Sequence, residues 1–289
     1  MSISRWQLAV EDEDELIVSY HLSRAEIRSL RQVPPAPLVG LSQMTSTILS
    51  TGNDDLDKLL NGGVRTKQIT EVFGPCGTGK TLFCLSLTAA VQKADPRGVC
   101  YVTNESAVIF ERIKQLTAYS DDSQLRNIYV IGSNFDDEGS FLELVNSDRL
   151  ERLFIDGLSL FIVDSFPMVD SEDITGILRV LRSLAMKHDT AIILTNGVTS
   201  RPPEVLPSSG SASWKWTQAQ VTGSVYTGDW VDSPRLGWTL SRNVDTRISL
   251  GTVSEKVRSF SVLFNSEGPR GSVDYKIIRE GLRVLSDIY

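Results

Sequence analysis

Histidine is almost missing from this 289-residue chain: His21 and His188 are the only two, too few for a histidine-built metal centre. Cysteine is scarce as well. Cys76, Cys84 and Cys100 are odd in number and lack the paired spacing of a zinc site, so they are expected to be reduced, small core residues of an intracellular protein. No apolar run approaches the roughly 18 residues that a membrane-crossing helix requires, so no membrane partner is expected. Positive charge is also short: 29 Lys and Arg stand against 36 Asp and Glu, a net charge of −7. That balance argues against a surface that coats nucleic acid generally, while leaving room for a local basic groove. The beginning of the chain carries Glu11-Asp12-Glu13-Asp14-Glu15, the opposite of a signal or transit peptide.

Against these absences stands Gly74-Pro75-Cys76-Gly77-Thr78-Gly79-Lys80-Thr81, which fits the phosphate-cradling pattern G-x-x-x-x-G-K-[ST]. Its setting fits too. Gln68–Phe73 reads as a β-branched strand and Leu82–Val91 as an apolar helix. Glycines let successive backbone N–H groups turn toward an anion, and the helix N-terminus adds partial positive charge. In that arrangement Lys80 reaches the β- and γ-phosphates, and the Thr81 hydroxyl holds Mg²⁺. Strand, loop and helix in this order weigh against a chance glycine-rich turn. The chain is expected to bind a nucleotide.

Residues 1–40 are expected to form an arm and linker, either a small subdomain or a tail. Ser23 and Glu26 make a capping-box pattern for a helix over 23–31, and Pro34-Pro35-Ala36-Pro37 then breaks the chain. Residues 41–289 are the core. Leu56, Leu59 and Leu60 share one helical face, ended by Asn61-Gly62-Gly63. Strands are expected at Gly98–Thr103, Asn127–Ile131, Leu158–Ser165 and Thr190–Asn196, with helices at Ile109–Tyr119 and Ile174–Lys187. Such alternation predicts an α/β fold, a mostly parallel sheet with helices on both faces. Beyond Arg235 the pattern changes. Gly237–Leu240, Thr246–Leu250 and Ser259–Phe264 are expected as antiparallel strands that extend the sheet.

A phosphate-loop enzyme needs acids at neighbouring strand tips. Asp164 ends an apolar strand, where it either secures Mg²⁺ or caps a turn. Glu105 ends another strand and either polarises water or is an exposed loop acid. Thr195-Asn196 ends a third, in a place suited to sensing a γ-phosphate. Between Asn196 and Pro234 runs a Ser/Gly/Pro-rich segment with Arg201, Trp214, Lys215, Trp216, Tyr226 and Trp230. Aromatics beside cations suit single-stranded DNA, because bases stack on rings while cations meet phosphates. A partner-docking loop fits the composition equally, and Asp229 and Asp232 count against DNA.

Several segments occur together in a telling order: Ser50-Thr51-Gly52, Leu56–Val64, Ile69–Thr81, and Tyr101–Glu105 with Phe110-Glu111-Arg112. Asp164-Ser165, Thr195-Asn196, Pro234–Trp238, Asn243, Thr246 and Arg247 follow. The combination closely resembles the ATPase core of the eukaryotic and archaeal RecA-like recombinases, over roughly residues 49–265. The resemblance implies a RecA-like fold with ATP and Mg²⁺ as cofactors. It implies that Gly74 to Thr81 hold the phosphates, that Glu105 activates water, and that Asp164 is the second acid, on the metal. Arg112 would pack on adenine, and Asn196 would be the strand-end sensor.

The chain also departs from that family. Gly197 stands where a sensor glutamine is usual. The first DNA-binding loop is shortened to the acidic Phe166–Asp173, and no aromatic-x-x-alanine polymerisation segment is evident in Leu38–Leu49. The family's Asp-Ser-Pro reads Asn265-Ser266-Glu267, and little chain precedes Gly74 for the usual helical N-terminal domain. These departures imply a recombinase paralogue, a nuclear mediator that pairs with a second paralogue and acts on the recombinase filament. Its ATPase activity is expected to be weak and stimulated by DNA or partner. The alternative is a nucleotide-binding scaffold without significant turnover.

The two acids are separable by experiment. Glu105→Gln is expected to keep ATP binding and lower single-turnover hydrolysis in the partner-bound protein by about a hundredfold. Asp164→Asn is expected to weaken Mg²⁺-dependent binding instead. Unchanged turnover in Glu105→Gln makes Glu105 a loop acid.

Overall fold

Strands that read as unbroken apolar runs belong at the centre of a sheet, because only strands covered on both faces tolerate them. The computed structural model describes residues 45–104, 106–117, 127–132, 138–166, 171–201, 225–227, 230–279 and 281–285, with isolated positions at 17–18, 23–24, 27 and 125. The first half contains β1 (Ile48–Leu49), α1 (Asp54–Leu59), β2 (Val64–Arg65), β3 (Ile69–Phe73), α2 (Lys80–Ala94), β4 (Gly98–Thr103), α3 (Ser106–Thr117) and β5 (Ile128–Gly132). Then come α4 (Glu138–Val145), α5 (Asp148–Ile155), β6 (Leu158–Val163), α6 (Ser171–His188), β7 (Ala191–Asn196), β8 (Val198–Arg201), β9 (Val225–Thr227) and β10 (Trp230–Pro234). The last part holds α7 (Gly237–Ser241), β11 (Thr246–Thr252), β12 (Arg258–Asn265), β13 (Gly271–Ile278) and β14 (Gly281–Val284).

The main sheet has the order β14-β13-β12-β11-β3-β7-β6-β4-β5. From β11 to β5 every pairing is parallel, and β12, β13 and β14 continue the sheet antiparallel. This is the expected mixed sheet, with β11 as its seam: Ile248 pairs with Val72 in parallel and with Val262 in antiparallel. One expectation fails. Gly237–Leu240 is helical, not a strand, because Leu236 and Leu240 lie one turn apart and are both buried against the α6 side of the core. Four residues cannot separate the two periods.

Each face of the sheet takes alternate side chains. On one face Phe83, Leu87 and Val91 of α2 and Ile109 and Ile113 of α3 pack on Val72, Tyr101, Ile162 and Ile193. On the other, Phe141 of α4, Phe154 of α5, and Ile177 and Leu181 of α6 pack on Cys100, Phe161 and Ile192. Cys84 and Cys100 are buried as expected, but Cys76 is exposed. It sits in the phosphate loop, away from both packed layers. Of the expected arm, Arg24 and Ile27 are helical; Ile27 is fully buried, and its N–H donates to the Ser23 carbonyl at 3.0 Å. No helix among the described residues is long and apolar enough to cross a membrane.

One charge pair lies inside this apolar sandwich. Arg247 faces Glu71 across the β11–β3 register, and its Nε donates to Glu71 Oε2 at 2.5 Å, with 2% and 0% of the side chains exposed. The Arg247 guanidinium also stands 5.3 Å from the centre of the Phe73 ring. Removing one partner strands a buried charge, so Arg247→Met is expected to lower unfolding free energy by about 3–5 kcal/mol. Adding Glu71→Leu is expected to restore part of it, because the buried charge goes while Asn196 Nδ2 loses its acceptor. Denaturant titration of both variants checks this, and a single-variant loss below about 1 kcal/mol refutes it.

Candidate functional site

The C-terminal ends of parallel strands are where an α/β sheet opens a crevice. Here β3 delivers the phosphate loop, β6 delivers Asp164 and β7 delivers Asn196. The loop's backbone admits nothing larger than glycine at two places. A Cβ on Gly74 would lie 2.2 Å from the Leu250 carbonyl oxygen, and Gly79, the N-cap of α2, has φ 95°. Lys80 bends back over the loop, with Nζ donating to the Gly74 and Pro75 carbonyls at 2.8 and 3.0 Å. Burial holds the ammonium below its ordinary pKa, partly offset by the neighbouring Cys76 and Asp164. Thr81 follows in the first turn of α2, exposed.

Asp164 comes directly after β6 and is 7% exposed. Its carboxylate is fixed from both flanking strands: Tyr101 of β4 donates to Oδ2 and Thr195 of β7 donates to Oδ1, each at 2.7 Å. The Thr195 hydroxyl in turn accepts the Ser165 N–H at 2.6 Å, in a turn where Ser165 has φ 66°. Two hydroxyls therefore orient the acid and leave its negative charge for other use. Asn196 is also buried. Its Nδ2 donates to Glu71 Oε1 at 2.9 Å, and its carbonyl accepts the Gly74 N–H at 3.4 Å, which ties β7 to the start of the loop.

Residues Gly74 to Thr81, Asp164 and Asn196 are thus gathered at adjacent strand ends. Arg112 is on α3, where its guanidinium donates to Gln115 Oε1 at 2.8 Å and to the Arg279 carbonyl at 3.1 Å, in the turn between β13 and β14. Glu105 lies outside the described residues, as do Trp214, Lys215 and Trp216. Among the described residues of the long segment, β8, β10 and β9 form a small antiparallel sheet that contains Arg201, Tyr226 and Trp230.

Further residues support the loop that no local pattern announced. The Tyr275 hydroxyl of β13 donates to the Thr78 carbonyl, and Arg258 Nε of β12 donates to the Gly77 carbonyl at 3.3 Å. Ile277 and Leu282 close over Gly79. Burial pushes the Tyr275 phenol well above its ordinary pKa, so it keeps its proton and remains a donor. The C-terminal hairpin buttresses the phosphate loop by its carbonyls, whose opposite faces are the N–H groups.

A sequence model described as Rad51 matches residues 43–215, more than half of the chain. The chain belongs to the Rad51 family. Among its relatives, the DNA repair and recombination protein RadA of Ignicoccus hospitalis is 30% identical over 226 residues, 68% of this chain and 69% of that protein. The DNA repair and recombination protein RadB of Methanococcus maripaludis is 29% identical over 179 residues, 57% of this chain and 80% of that protein. A crystal structure of the RadB recombinase matches with a TM-score of 0.56, covering 83% of this chain and all of that one at 20% identity, which is a likeness of fold. The RecA-like fold of this Rad51-family chain agrees with its sequence.

The buttress gives a test. Tyr275→Phe removes one hydrogen bond and leaves the ring in place, so ATP affinity is expected to fall about three- to tenfold in calorimetry. Unaltered affinity makes the Tyr275 contact irrelevant to the loop.

Proposed function

We propose that this chain is an ATP-dependent recombinase paralogue that assists the assembly or stability of a recombinase filament on single-stranded DNA during double-strand-break repair. The observation that carries the reading is the joining of the phosphate loop and Lys80, after β3, with Asp164, after β6, at strand ends on either side of β7 in a Rad51-family core. The residues fit ATP and Mg²⁺. Lys80 is bonded to neutral carbonyls, for which phosphate oxygens are stronger acceptors, and Thr81 with Asp164 makes an oxygen-only donor set of the kind Mg²⁺ takes.

In this reading the loop amides and Lys80 hold the phosphates, and Thr81 and Asp164 hold Mg²⁺. Arg112 lies against adenine, and Asn196 senses the strand-end phosphate. When bound, the metal neutralises charge on the phosphoryl oxygens. Glu105 positions the attacking water, while Tyr101 and Thr195 keep the Asp164 carboxylate aimed. The relatives' shared naming for DNA repair and recombination supports the biological side. The shortened, acidic Phe166–Asp173 segment supports a mediator over a strand-exchange enzyme. A second reading, the scaffold without turnover, is favoured by Gly197, which carries no side chain to sense phosphate.

Lys80→Ala is expected to weaken ATP binding by about a hundredfold with the fold intact, since the side chain is a point charge for phosphate. Equal affinity in calorimetry refutes the nucleotide reading. Turnover by wild type, with and without single-stranded DNA and a partner ATPase, separates mediator enzyme from scaffold. No hydrolysis under any of these conditions selects the scaffold. The pure protein is expected to form no long filaments on DNA, and regular filaments in electron micrographs refute the paralogue assignment.

A further inference from the structure

Arg235 presents an exposed guanidinium with no bonded partner among the described residues. Its backbone, by contrast, is pinned. Pro234 ends β10 opposite Val198 of β8, and the Arg235 N–H donates to the Gly197 carbonyl at 3.1 Å. Residue 235 is therefore fixed at the C-terminal tip of β7, next to Asn196. The side chain folds over Gly197: a Cβ at that glycine would lie 2.9 Å from Arg235 Nε and 3.2 Å from Cζ. Any other residue at 197 would displace the guanidinium. Gly197 is its seat.

The guanidinium thus lies at the tip of β7, one residue beyond Asn196, whose carbonyl holds the first N–H of the phosphate loop. Lys80 stands over that loop, at the end of the strand next to β7, with Nζ on the Gly74 and Pro75 carbonyls. Two cations on neighbouring strand ends repel each other unless an anion lies between them. Lys80 does not supply its own relief, since its donors go to uncharged carbonyls. An anion on the β7 side of Lys80 meets both. In a nucleotide seated in the loop, that position falls to the terminal phosphate, because the loop lysine spans the β- and γ-phosphates. A guanidinium suits it, with a planar pair of donors for two phosphate oxygens.

We propose that Arg235 binds the terminal phosphate of a nucleoside triphosphate and makes this site prefer triphosphate to diphosphate. The proposal rests on the nucleotide reading above and goes beyond it by naming the group that distinguishes ATP from ADP. The phosphate of a DNA strand is the competing anion. The position of Arg235 beside Asn196, whose carbonyl bonds Gly74 of the loop, favours the nucleotide.

The test is calorimetric titration of the full chain with ADP and with a non-hydrolysable ATP analogue, both with Mg²⁺, for wild type, Arg235→Ala and Arg235→Lys. Arg235→Ala is expected to weaken the triphosphate analogue about 10- to 100-fold while ADP changes less than about threefold. Arg235→Lys is expected to recover part of the loss, because the charge stays and the paired donors go. Equal weakening of both nucleotides, or an unchanged preference, overturns the assignment. Intact triphosphate affinity with a loss confined to single-stranded DNA overturns it in favour of a DNA contact. If wild type binds ADP and the analogue alike and Arg235→Ala changes neither, only the Arg235 assignment fails. If wild type binds neither, the nucleotide reading fails with it. Thermal unfolding of each variant, expected to match wild type because Arg235 is exposed, keeps the comparison among folded proteins.

Discussion

Glu71 is a carboxylate with no access to water, placed in the strand that delivers the phosphate loop. One of its oxygens is bonded to Arg247 of β11 and the other to Asn196 of β7. A single side chain thus joins three adjacent parallel strands at the level where the loop leaves the sheet. The desolvation of both charges is large, and such a pair often contributes little net stability. Its value here is geometric. A slip of β7 by one residue would turn Asn196 to the other face, leave Glu71 half-satisfied and detach the Gly74 N–H from the Asn196 carbonyl.

The loop itself is shaped from two directions. From below, β3 and β7 hold its first residue. From the side, the C-terminal strands hold its middle: Tyr275 and Arg258 take the Thr78 and Gly77 carbonyls. A carbonyl fixed on the outer face fixes the plane of the peptide, and therefore the direction of the next N–H. Residues some two hundred positions away in sequence set how the N–H groups of the loop point. The antiparallel end of the sheet is part of the site, not an appendage to it.

What could be read from the sequence was whatever is encoded locally. The phosphate loop announces itself by glycines between a strand and a helix, and β4, β6 and β7 by apolar runs too short for helices. Asp164 was legible because it breaks such a run at its end. The pairings were not legible. Glu71 and Arg247 are far apart in the chain, and only register shows that they meet. Strands β13 and β14 were missed because each is half-exposed, mixing Lys276 and Arg283 with Ile277 and Leu282, so no clean alternation survives. Gly237–Leu240 was misread because four residues fit a turn of helix as well as a strand. Cys76 was misplaced in the core because composition does not tell a loop tip from a helix.

The charges left over after internal pairing constrain what the crevice accepts. Glu71 and Arg247 neutralise each other within the sandwich. Lys80 remains over the loop after β3, Arg235 at the tip of β7 and Asp164 at the end of β6, each held in place by neutral groups or by none. A bare phosphate would satisfy the two cations but would face Asp164 as a like charge. A bare metal ion would satisfy Asp164 but would be repelled by Lys80 and Arg235. Only a ligand that carries both signs, with its anionic oxygens toward the loop and its cation toward the acid, meets all three at once. A phosphate chain with its own divalent ion has that distribution, so the metal and the nucleotide are expected to enter as one complex.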